Sequence, residues 1–381
     1  MSYQNLIAEN QKWIDETWEK LDKKLSKTAV KSRKKIPYST KSGEHDDRSD
    51  DILWWTNGFW GGMMWLMYIG TQKECYKLTA EENEKTLDKA FEDMQNWHHD
   101  VGFMWHILSG VNYRLTGNLQ SKNRNLIAAM SLMSRYNVEG NFIRCWNAWH
   151  GDEDVSGWTI IDCMMNIPIL YWASKEIGDP RFKKIAMRHA DMAMRDHVRA
   201  DGSVNHIVVH DTEKADTVLG VRKGQGYSET SCWSRGASWA LYGFVLSYIH
   251  TKEERYLETA KKAAAYFIKE TEKTEWLPRL DFRQPETSLY YDSTAGAIAS
   301  CGLIELAKAT KGDESEQFLS AALNILQAME KNWCDWTDKE DSILQMGSEM
   351  YGRGVHTPII YGDFFFAEAI LKLKGEDFLV W

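Results

Sequence analysis

Proline, paired cysteines and long apolar runs are all scarce in this sequence of 381 residues. Only 6 prolines interrupt the chain, so few amide donors are missing and long helices are permitted. The 6 cysteines are scattered without a Cys-x-x-Cys pair, which argues against a disulfide framework and predicts reduced core residues. The apolar runs are too short to predict a membrane span.

A signal peptide and an excess of positive charge are also missing. The N-terminal stretch lacks the basic and apolar regions of a secretion signal, so we expect a cytoplasmic location. The net charge of −9 argues against nucleic acid as a partner. Aromatic residues, in contrast, are abundant, with 18 Trp and 16 Tyr. Tryptophan suits both core packing and stacking on sugar rings.

Helical periodicity dominates the chain and predicts an all-α protein. The predicted helices lie near residues 3–24, 58–70, 81–97, 102–116, 120–136, 157–177, 181–198, 232–250, 254–270, 293–310, 315–332 and 362–373. Five similar turns separate pairs of these helices at intervals of about 50–70 residues, beginning at Ile69, Thr116, Ile177, His250 and Lys311. Six helical hairpins in one domain, residues 1–381, predict a closed (α/α)6 barrel; an open superhelix is the alternative.

The longer connections predict where a site is built. Residues 138–157, 201–231 and 274–292 are non-helical and contain Trp, His, Arg, Gln and Gly, so we expect a loop-built active site at one end of the barrel. Residues 204–210 alternate in polarity, as in a short strand. Residues 26–50 form a polar segment, basic and then acidic, for which the sequence leaves open a lid or a disordered loop.

One carboxylate, Asp162, stands inside an apolar stretch that runs from Trp158 to Trp172. Apolar residues on every side predict a single buried helix here, with Asp162 in its middle. Burial raises the pKa of a carboxyl group and suits it to be a general acid. The alternative is a core aspartate that caps or ties a neighbouring helix.

A second carboxylate, Asp100, follows two adjacent histidines, His98 and His99. Its simplest interpretation is an N-cap, because a predicted helix begins just after it. The histidine pair lacks an HxxxH or cysteine partner, so no metal site is predicted. If Asp100 faces Asp162, their pKa values separate. Two carboxyl groups of this kind are the usual catalytic residues of glycoside hydrolases.

Six motifs in one order resemble glycoside hydrolase family 88, the unsaturated glucuronyl hydrolases. They are Trp55-Thr-Asn-Gly-Phe-Trp60, His98-His-Asp-Val-Gly-Phe103, Ile160-Ile-Asp162-Cys, Trp233-Ser-Arg235-Gly, Tyr291-Asp-Ser-Thr-Ala295 and Tyr361-Gly-Asp-Phe364. The matches run from about residue 50 to the C-terminus. The resemblance implies a six-hairpin α/α barrel, in agreement with the repeat.

The resemblance also implies a reaction. The substrate is an oligosaccharide whose non-reducing end is a 4,5-unsaturated uronic acid left by a polysaccharide lyase. An acid protonates C4, water adds at C5, and the resulting hemiketal opens and releases the remaining sugar. The resemblance makes Asp162 the general acid and base, and Asp100 the residue that binds ring hydroxyls and tunes Asp162. This chemistry implies no cofactor.

The resemblance extends to residues that contact the substrate. The matching positions are Trp55, His99, Trp146, His206, Gln225, Trp233, Arg235 and Trp239. The tryptophans are expected to form walls and stacking surfaces, and His206, Gln225 and Arg235 to meet polar groups. Some members carry a Ser-x-x-Ser-x-Lys motif that accepts a 6-sulfate. The stretch here keeps Ser348 but has Tyr351 and Arg353 in place of the second Ser and the Lys, so sulfate binding by Ser348 and Arg353 is a weaker expectation.

Three other functions remain open from the sequence. An unsaturated rhamnogalacturonyl hydrolase would act on pectin fragments with a similar barrel. A sugar 2-epimerase would need two histidine bases facing one substrate, which the adjacent pair does not easily supply. A helical binding scaffold would keep its function after Asp162→Asn. The oligomeric state is not predicted.

Overall fold

The computed structural model describes residues 3–147 and 153–381, and most of them are helical. Short 3₁₀ and π-helical segments, Asp88–Asn96 and Gly102–Gly110, accompany the α-helices. The α-helices are α1 (Tyr3–Lys31), α2 (Phe59–Thr71), α3 (Glu74–Leu87), α4 (Val111–Thr116), α5 (Leu119–Ser134), α6 (Cys163–Asn166), α7 (Pro168–Ile177), α8 (Pro180–Asp196), α9 (Ser234–Thr251), α10 (Glu254–Glu272), α11 (Ser293–Ala309), α12 (Gly312–Trp333) and α13 (Ile360–Leu373).

The helices form two concentric rings. The inner ring runs in the order α2, the π-helical segment with α4, α6 with α7, α9, α11 and α13, and α13 packs back on α2 to close it. The outer helices α3, α5, α8, α10, α12 and α1 pack around this ring, and α5, α8 and α10 each contact two neighbouring inner helices. Inner helices such as α9 and α11 have apolar residues on nearly all sides and are buried on nearly all sides. Outer helices such as α8 have apolar residues along one face and bury only that face. The predicted closed (α/α)6 barrel is confirmed.

At one end of the barrel, tight turns join each inner helix except α13 to the outer helix that follows it in the chain. The residues after α2, α4, α7 and α9 adopt the left-handed conformation that ends a helix, and two of them are glycines, Gly117 and Gly178. These are the turns that the sequence repeat predicted. The longer connections therefore all lie at the opposite end, which we call the loop end.

The predicted helix over residues 157–177 is wrong at its start. Residues Trp158–Ile160 form a strand that pairs antiparallel with a strand at Ile207–His210, and that strand pairs with another at Val218–Arg222. β-Branched side chains favour this extended backbone once a partner strand is present. The helix begins only at Cys163, so Asp162 stands at its N-terminus and not in its middle. The short strand expected within residues 204–210 is confirmed.

Residues 26–50 contain the end of a helix and a small hairpin. Helix α1 continues to Lys31, and the strands Thr40–Lys41 and Glu44–His45 pair with each other. The Tyr38 hydroxyl donates to Glu349 Oε1 over 3.1 Å, which ties this segment to the loop before α13. The segment is thus a wall of the loop end. A further pair, Tyr136–Asn137 with Phe142–Ile143, begins the connection after α5, of which residues 148–152 lie outside the described residues.

Aromatic rings fill the centre of the barrel. Trp381 stacks on Phe365 with ring centroids 5.7 Å apart, and its edge meets Phe103 at 6.0 Å. Phe103 in turn contacts Trp239 at 5.2 Å. This packed core forms a rigid floor beneath the loop end. All six cysteines are unpaired, as expected, and no helix in the described ranges has the length and apolarity of a membrane span.

Candidate active site

Asp162 is a buried carboxyl group between a strand and a helix. It follows the strand Trp158–Ile160 and takes the N-cap position of α6, but its side chain makes no capping hydrogen bond. Its side chain is 17% exposed, and Oδ1 lies 3.6 Å from His99 Nε2, too far for a hydrogen bond. Burial and the nearby charge of Asp100 raise the pKa of Asp162 well above its ordinary value, although Arg235 opposes them. Asp162 therefore holds its proton under conditions where most aspartates have lost it.

Asp100 has the opposite electrostatic environment. Its Oδ1 accepts from Asn166 Nδ2 over 3.3 Å, and its Oδ2 lies 3.0 Å from His98 Nδ1 and 3.4 Å from His99 Nε2. Burial disfavours the charged form, but His99, His98 and Asn166 outweigh it and lower the pKa of Asp100. These contacts, and not capping bonds to helix amides, occupy both oxygens. Asp100 is thus the ionised member of the pair.

The two carboxyl groups share one small space with His99. Ligand atoms of His99, Asp100 and Asp162 all lie within 4.8 Å of one another. Burial lowers the pKa of His99 to about 4, so its ring is neutral near pH 7. The sequence interpretation required the two aspartates to face each other, and the structure brings them together. The same spacing would admit a metal ion, so the absence of a metal remains a prediction.

Asn166 and His98 hold this pair in place, and sequence reasoning missed both roles. Asn166 Oδ1 accepts from the Phe103 amide over 2.9 Å while its Nδ2 donates to Asp100, so one side chain joins two inner helices. His98 Nε2 contacts the Leu53 carbonyl oxygen at 2.8 Å, which fixes its ring beside Asp100. The sequence did contain one signal for the role of Asn166: it lies four residues after Asp162, a spacing that would place both on one side of a helix.

Gly102 permits this close approach. A Cβ atom at this position would lie 2.7 Å from both Asn166 Cα and Asn166 Oδ1. Such a contact with backbone is too short for any side chain, so the helix carrying Asp100 meets the helix carrying Asn166 only because residue 102 is glycine.

Tryptophans surround the carboxyl pair at different depths. Trp55 is half-buried and contacts Tyr361 at 4.9 Å, and Trp146 is half-buried with its ring edge-on to His99 at 6.5 Å. These two fit the predicted walls. Trp239, however, is only 1% exposed and packs beneath the floor, so a direct stacking contact with a ligand is not supported by its position.

His206, Gln225 and Trp233 line another side of the loop end. The His206 ring lies on Trp233 with centroids 4.3 Å apart, and its Nδ1 accepts from the Gln225 amide over 3.0 Å. Burial lowers the pKa of His206 to about 3, so it acts as a neutral hydrogen-bonding group. The Gln225 side chain donates to the Glu349 carbonyl oxygen over 2.7 Å. The predicted site residues from this loop are therefore brought together.

Arg235 is fully buried, and protein groups contact both terminal nitrogens of its planar fork, whereas Nε has no hydrogen-bond partner among the described residues. Nη1 donates to Thr294 Oγ1 over 2.8 Å and lies 3.2 Å from Asp292 Oδ2, while Nη2 donates to the Glu349 carbonyl oxygen over 2.8 Å. In this arrangement Arg235 anchors the loop before α13 instead of pointing to a ligand. Its charge still reaches the site, because it opposes the rise in the pKa of Asp162.

Ser348 and Arg353, the residues expected to bind a sulfate, have different environments in the structure. Ser348 is buried, and its hydroxyl donates to the Tyr291 carbonyl oxygen over 2.6 Å and accepts from the His356 amide over 3.2 Å. Both roles of the hydroxyl are thus used within the loop. The Arg353 side chain is 77% exposed, and its Nε lies 4.0 Å from Glu349 Oε2. These bonds do not favour a sulfate contact at Ser348, and sulfate binding by the two residues stays a prediction.

Comparison with known proteins identifies the family of this barrel. The sequence profile of Glycosyl Hydrolase Family 88 matches residues 26–344, which is most of the chain. The chain belongs to glycoside hydrolase family 88. It is therefore a glycoside hydrolase, and the binding-scaffold alternative is wrong. The comparisons do not favour the pectin-fragment enzyme or the epimerase.

Two curated relatives cover most of this family 88 chain. An unsaturated glucuronyl hydrolase from Bacillus sp. (strain GL1) is 33% identical over 328 residues, covering 84% of this chain and 86% of its own. An unsaturated chondroitin disaccharide hydrolase from Streptococcus pyogenes serotype M1 is 33% identical over 331 residues, covering 84% of this chain and 82% of its own.

Solved structures share the fold. The crystal structure of the unsaturated glucuronyl hydrolase from Bacillus sp. GL1 matches with a TM-score of 0.87 at 30% identity, covering 94% of this chain and 97% of its own. An aspartate-to-asparagine variant of the Streptococcus agalactiae enzyme, complexed with dGlcA-GalNAc6S, matches with a TM-score of 0.80 at 27% identity, covering 97% of this chain and 93% of its own.

Proposed function

We propose that this family 88 enzyme removes the 4,5-unsaturated uronic acid from the non-reducing end of lyase-generated glycosaminoglycan oligosaccharides. The relatives that support this substrate are named for unsaturated glucuronyl or unsaturated chondroitin disaccharide hydrolysis. The proposal treats residues 1–381 as a single catalytic domain in the cytoplasm. One hydrophobic core that includes residues from nearly all the helices supports the single domain, and the unpaired cysteines support the cytoplasmic location.

The pair Asp100 and Asp162 is the observation that carries the proposal. One carboxyl is driven towards its protonated form and the other towards its ionised form, within one cluster of side chains. Hydration of a vinyl ether begins with proton transfer to carbon, which needs an acid that is protonated at the working pH. Asp162 meets that need.

The reaction then follows from the two roles. Asp162 gives its proton to C4 of the C4=C5 bond, and positive charge develops at C5 and the ring oxygen. Water adds at C5, and the Asp162 carboxylate takes the proton that this water loses. The resulting hemiketal opens and releases the remaining sugar. In this scheme the ionised Asp100 accepts hydrogen bonds from ring hydroxyls, and its negative charge stabilises the developing positive charge.

The other site residues hold the sugar in this scheme. Trp55 and Trp146 provide flat apolar surfaces on two sides, and Trp233 supports the His206 ring on a third. His206 and Gln225 offer neutral polar contacts from one loop. The charge of Arg235 provides local positive potential for the substrate carboxylate in a protein of net charge −9.

The test is loss of the ultraviolet absorbance of the C4=C5 bond. Wild-type protein is incubated with unsaturated chondroitin and hyaluronan disaccharides, beside Asp162→Asn. We expect absorbance to fall with the wild type, and the variant to bind substrate with little turnover. Absorbance loss only with unsaturated rhamnogalacturonan fragments would contradict the proposed substrate, and equal rates for wild type and variant would contradict the role of Asp162.

A further inference from the structure

The segment that follows α13, residues 375–381, turns back into the barrel at its tight-turn end. Trp381 is only 1% exposed, and its ring stacks on Phe365 with an interplanar angle of 3°. Its indole Nε1 donates to Glu368 Oε1 over 3.1 Å. Phe365 and Glu368 both belong to α13, so this inner helix seats the Trp381 ring within the core.

Arg114 ties the same segment to the π-helical segment Gly102–Gly110. Its Nη1 and Nη2 donate to the Leu379 and Val380 carbonyl oxygens over 2.6 and 2.5 Å. Its Nε donates to the Gly110 carbonyl oxygen over 3.0 Å. Residues 379–381 are therefore fastened to the last residue of the π-helical segment.

The Trp381 ring meets the other end of the π-helical segment at Phe103, with ring centroids 6.0 Å apart. The Phe103 amide donates to Asn166 Oδ1 over 2.9 Å, and Asn166 Nδ2 donates to Asp100 Oδ1 over 3.3 Å. One ring contact and two hydrogen bonds thus connect Trp381 to the Asp100 carboxylate.

The backbone form of this segment gives the contacts their importance. A π-helix is rare and usually lasts a single turn, whereas Gly102–Gly110 keeps it for nine residues, so the surroundings must hold the segment in shape. Asn166 packs against it on one side, at Gly102, and Trp381 packs against it from the tight-turn end. Removal of the indole would leave a cavity into which Phe103 moves.

We propose that Trp381 is a positioning residue for Asp100, acting through Phe103 and Asn166. This inference rests on the proposed function and deepens it. Trp381 lies beneath the floor and fixes the position of Phe103, which keeps Asn166 within hydrogen-bond reach of Asp100. The segment after α13 therefore sets the geometry of the carboxyl pair from the opposite end of the barrel.

Loss of this support should change the protonation of Asp162. Burial and the charge of Asp100 raise the pKa of Asp162, and Arg235 opposes them. A displaced Asp100 and a less tightly packed floor weaken the two causes that raise the pKa. Arg235 keeps its own partners, so the pKa of Asp162 should fall.

The experiment measures kcat, KM and the pH dependence of kcat/KM on an unsaturated chondroitin disaccharide by loss of ultraviolet absorbance. In Trp381→Ala, kcat should fall about tenfold or more with little change in KM, because a misplacement of about 1 Å can cost about a hundredfold in rate. The alkaline limb should move to lower pH. Trp381→Phe should restore most of both, since a phenyl ring can still stack on Phe365.

A matched control is Trp65→Ala. Trp65 is also fully buried, but its ring packs on Tyr68 of the same helix, at 5.7 Å. This variant should lower the melting temperature, as Trp381→Ala does, and leave kcat and the alkaline limb close to those of the wild type. Equal changes in kcat and pH profile in the two variants would overturn the inference, because they would report only lost stability.

Hydrogen exchange at the Phe103 amide tests the positioning without turnover. This amide should exchange faster in Trp381→Ala than in the wild type or Trp65→Ala, and unchanged protection would overturn the inference. If the wild type does not turn over the disaccharide, the proposed function fails, and the exchange still decides whether Trp381 holds Phe103.

Arg114→Gln is the second variant, for the case in which Trp381→Ala does not fold. It keeps the Trp381 ring but weakens the attachment of the Leu379 and Val380 carbonyl oxygens. Smaller changes in the same direction are expected for kcat, the alkaline limb and Phe103 exchange. Wild-type values for all three would contradict the proposed role of this segment.

Discussion

Replacing Asp100 by Asn tests how the carboxyl pair works. The change keeps the shape of the side chain but removes the negative charge that lies within 4.8 Å of the Asp162 carboxyl group. That charge is the second cause, after burial, of the raised pKa of Asp162. Without it, Asp162 releases its proton more readily. The alkaline limb of the kcat/KM profile, which reports loss of the proton from Asp162 in the free enzyme, should therefore move to lower pH.

The rate should fall as well. Asp100 is the charged acceptor for ring hydroxyls in the proposed mechanism, and hydrogen bonds to charged groups are worth about 1.5–3 kcal/mol. Because a factor of ten corresponds to about 1.4 kcal/mol, kcat/KM at the optimum should fall about ten- to hundredfold. The Asn side chain still has an oxygen for Asn166, so folding should be little affected.

The assay is the decline in ultraviolet absorbance, followed from acid to alkaline pH for wild type and variant. Asp211→Asn is a suitable control, since Asp211 also lies at the loop end but only caps a turn with the Glu213 amide. An alkaline limb that stays in place or moves to higher pH in Asp100→Asn would refute the coupling of the two carboxyl groups. A shift of the same size in the control would show that general surface charge causes it.

Three further perturbations have defined outcomes. Gly102→Ala should lower the melting temperature and kcat, with a loss of about 1–3 kcal/mol in stability, because the new Cβ meets Asn166; a thermal melt that matches the wild type would contradict this packing. Treatment with a chelator followed by dialysis should leave activity unchanged, whereas a loss that one added divalent ion restores would show that the carboxyl pair holds a metal. Burial raises the pKa of Asp363 from 3.8 to about 7, although the Leu344 and Ile343 amides oppose it, so the folded state holds this proton more tightly than the unfolded state. Its contribution to stability is full below the unfolded pKa and is lost as pH rises through about 7, so urea unfolding should show stability falling over this interval, and Asp363→Asn should flatten that fall.

Local patterns in the sequence were enough to predict the barrel. Continuous apolar stretches mark the inner helices, one-sided patterns mark the outer helices, and glycines such as Gly117 and Gly178 end helices where the chain reverses. These signals involve residues within a few turns of one another, so they can be recognised before any tertiary contact is known. The same is true of the six motifs that indicated family 88 and singled out Asp100 and Asp162.

Contacts between segments that are distant in the sequence decided the features that local patterns could not predict. Trp158–Ile160 became a strand because residues 207–210 pair with it, and this partner lies some 50 residues away in the sequence. Asn166 became a support for Asp100 only when two inner helices met at Gly102.

The availability of polar groups was decided in the same way. The Arg235 terminal nitrogens and the Ser348 hydroxyl already have loop partners, and a sequence motif cannot show whether a donor is already used. The sequence by itself determined the barrel and the family, and it singled out the proposed catalytic pair. Only the tertiary structure decided which polar groups remain free to meet the sugar, because hydrogen-bond partners are assigned by folding and each donor can be used only once.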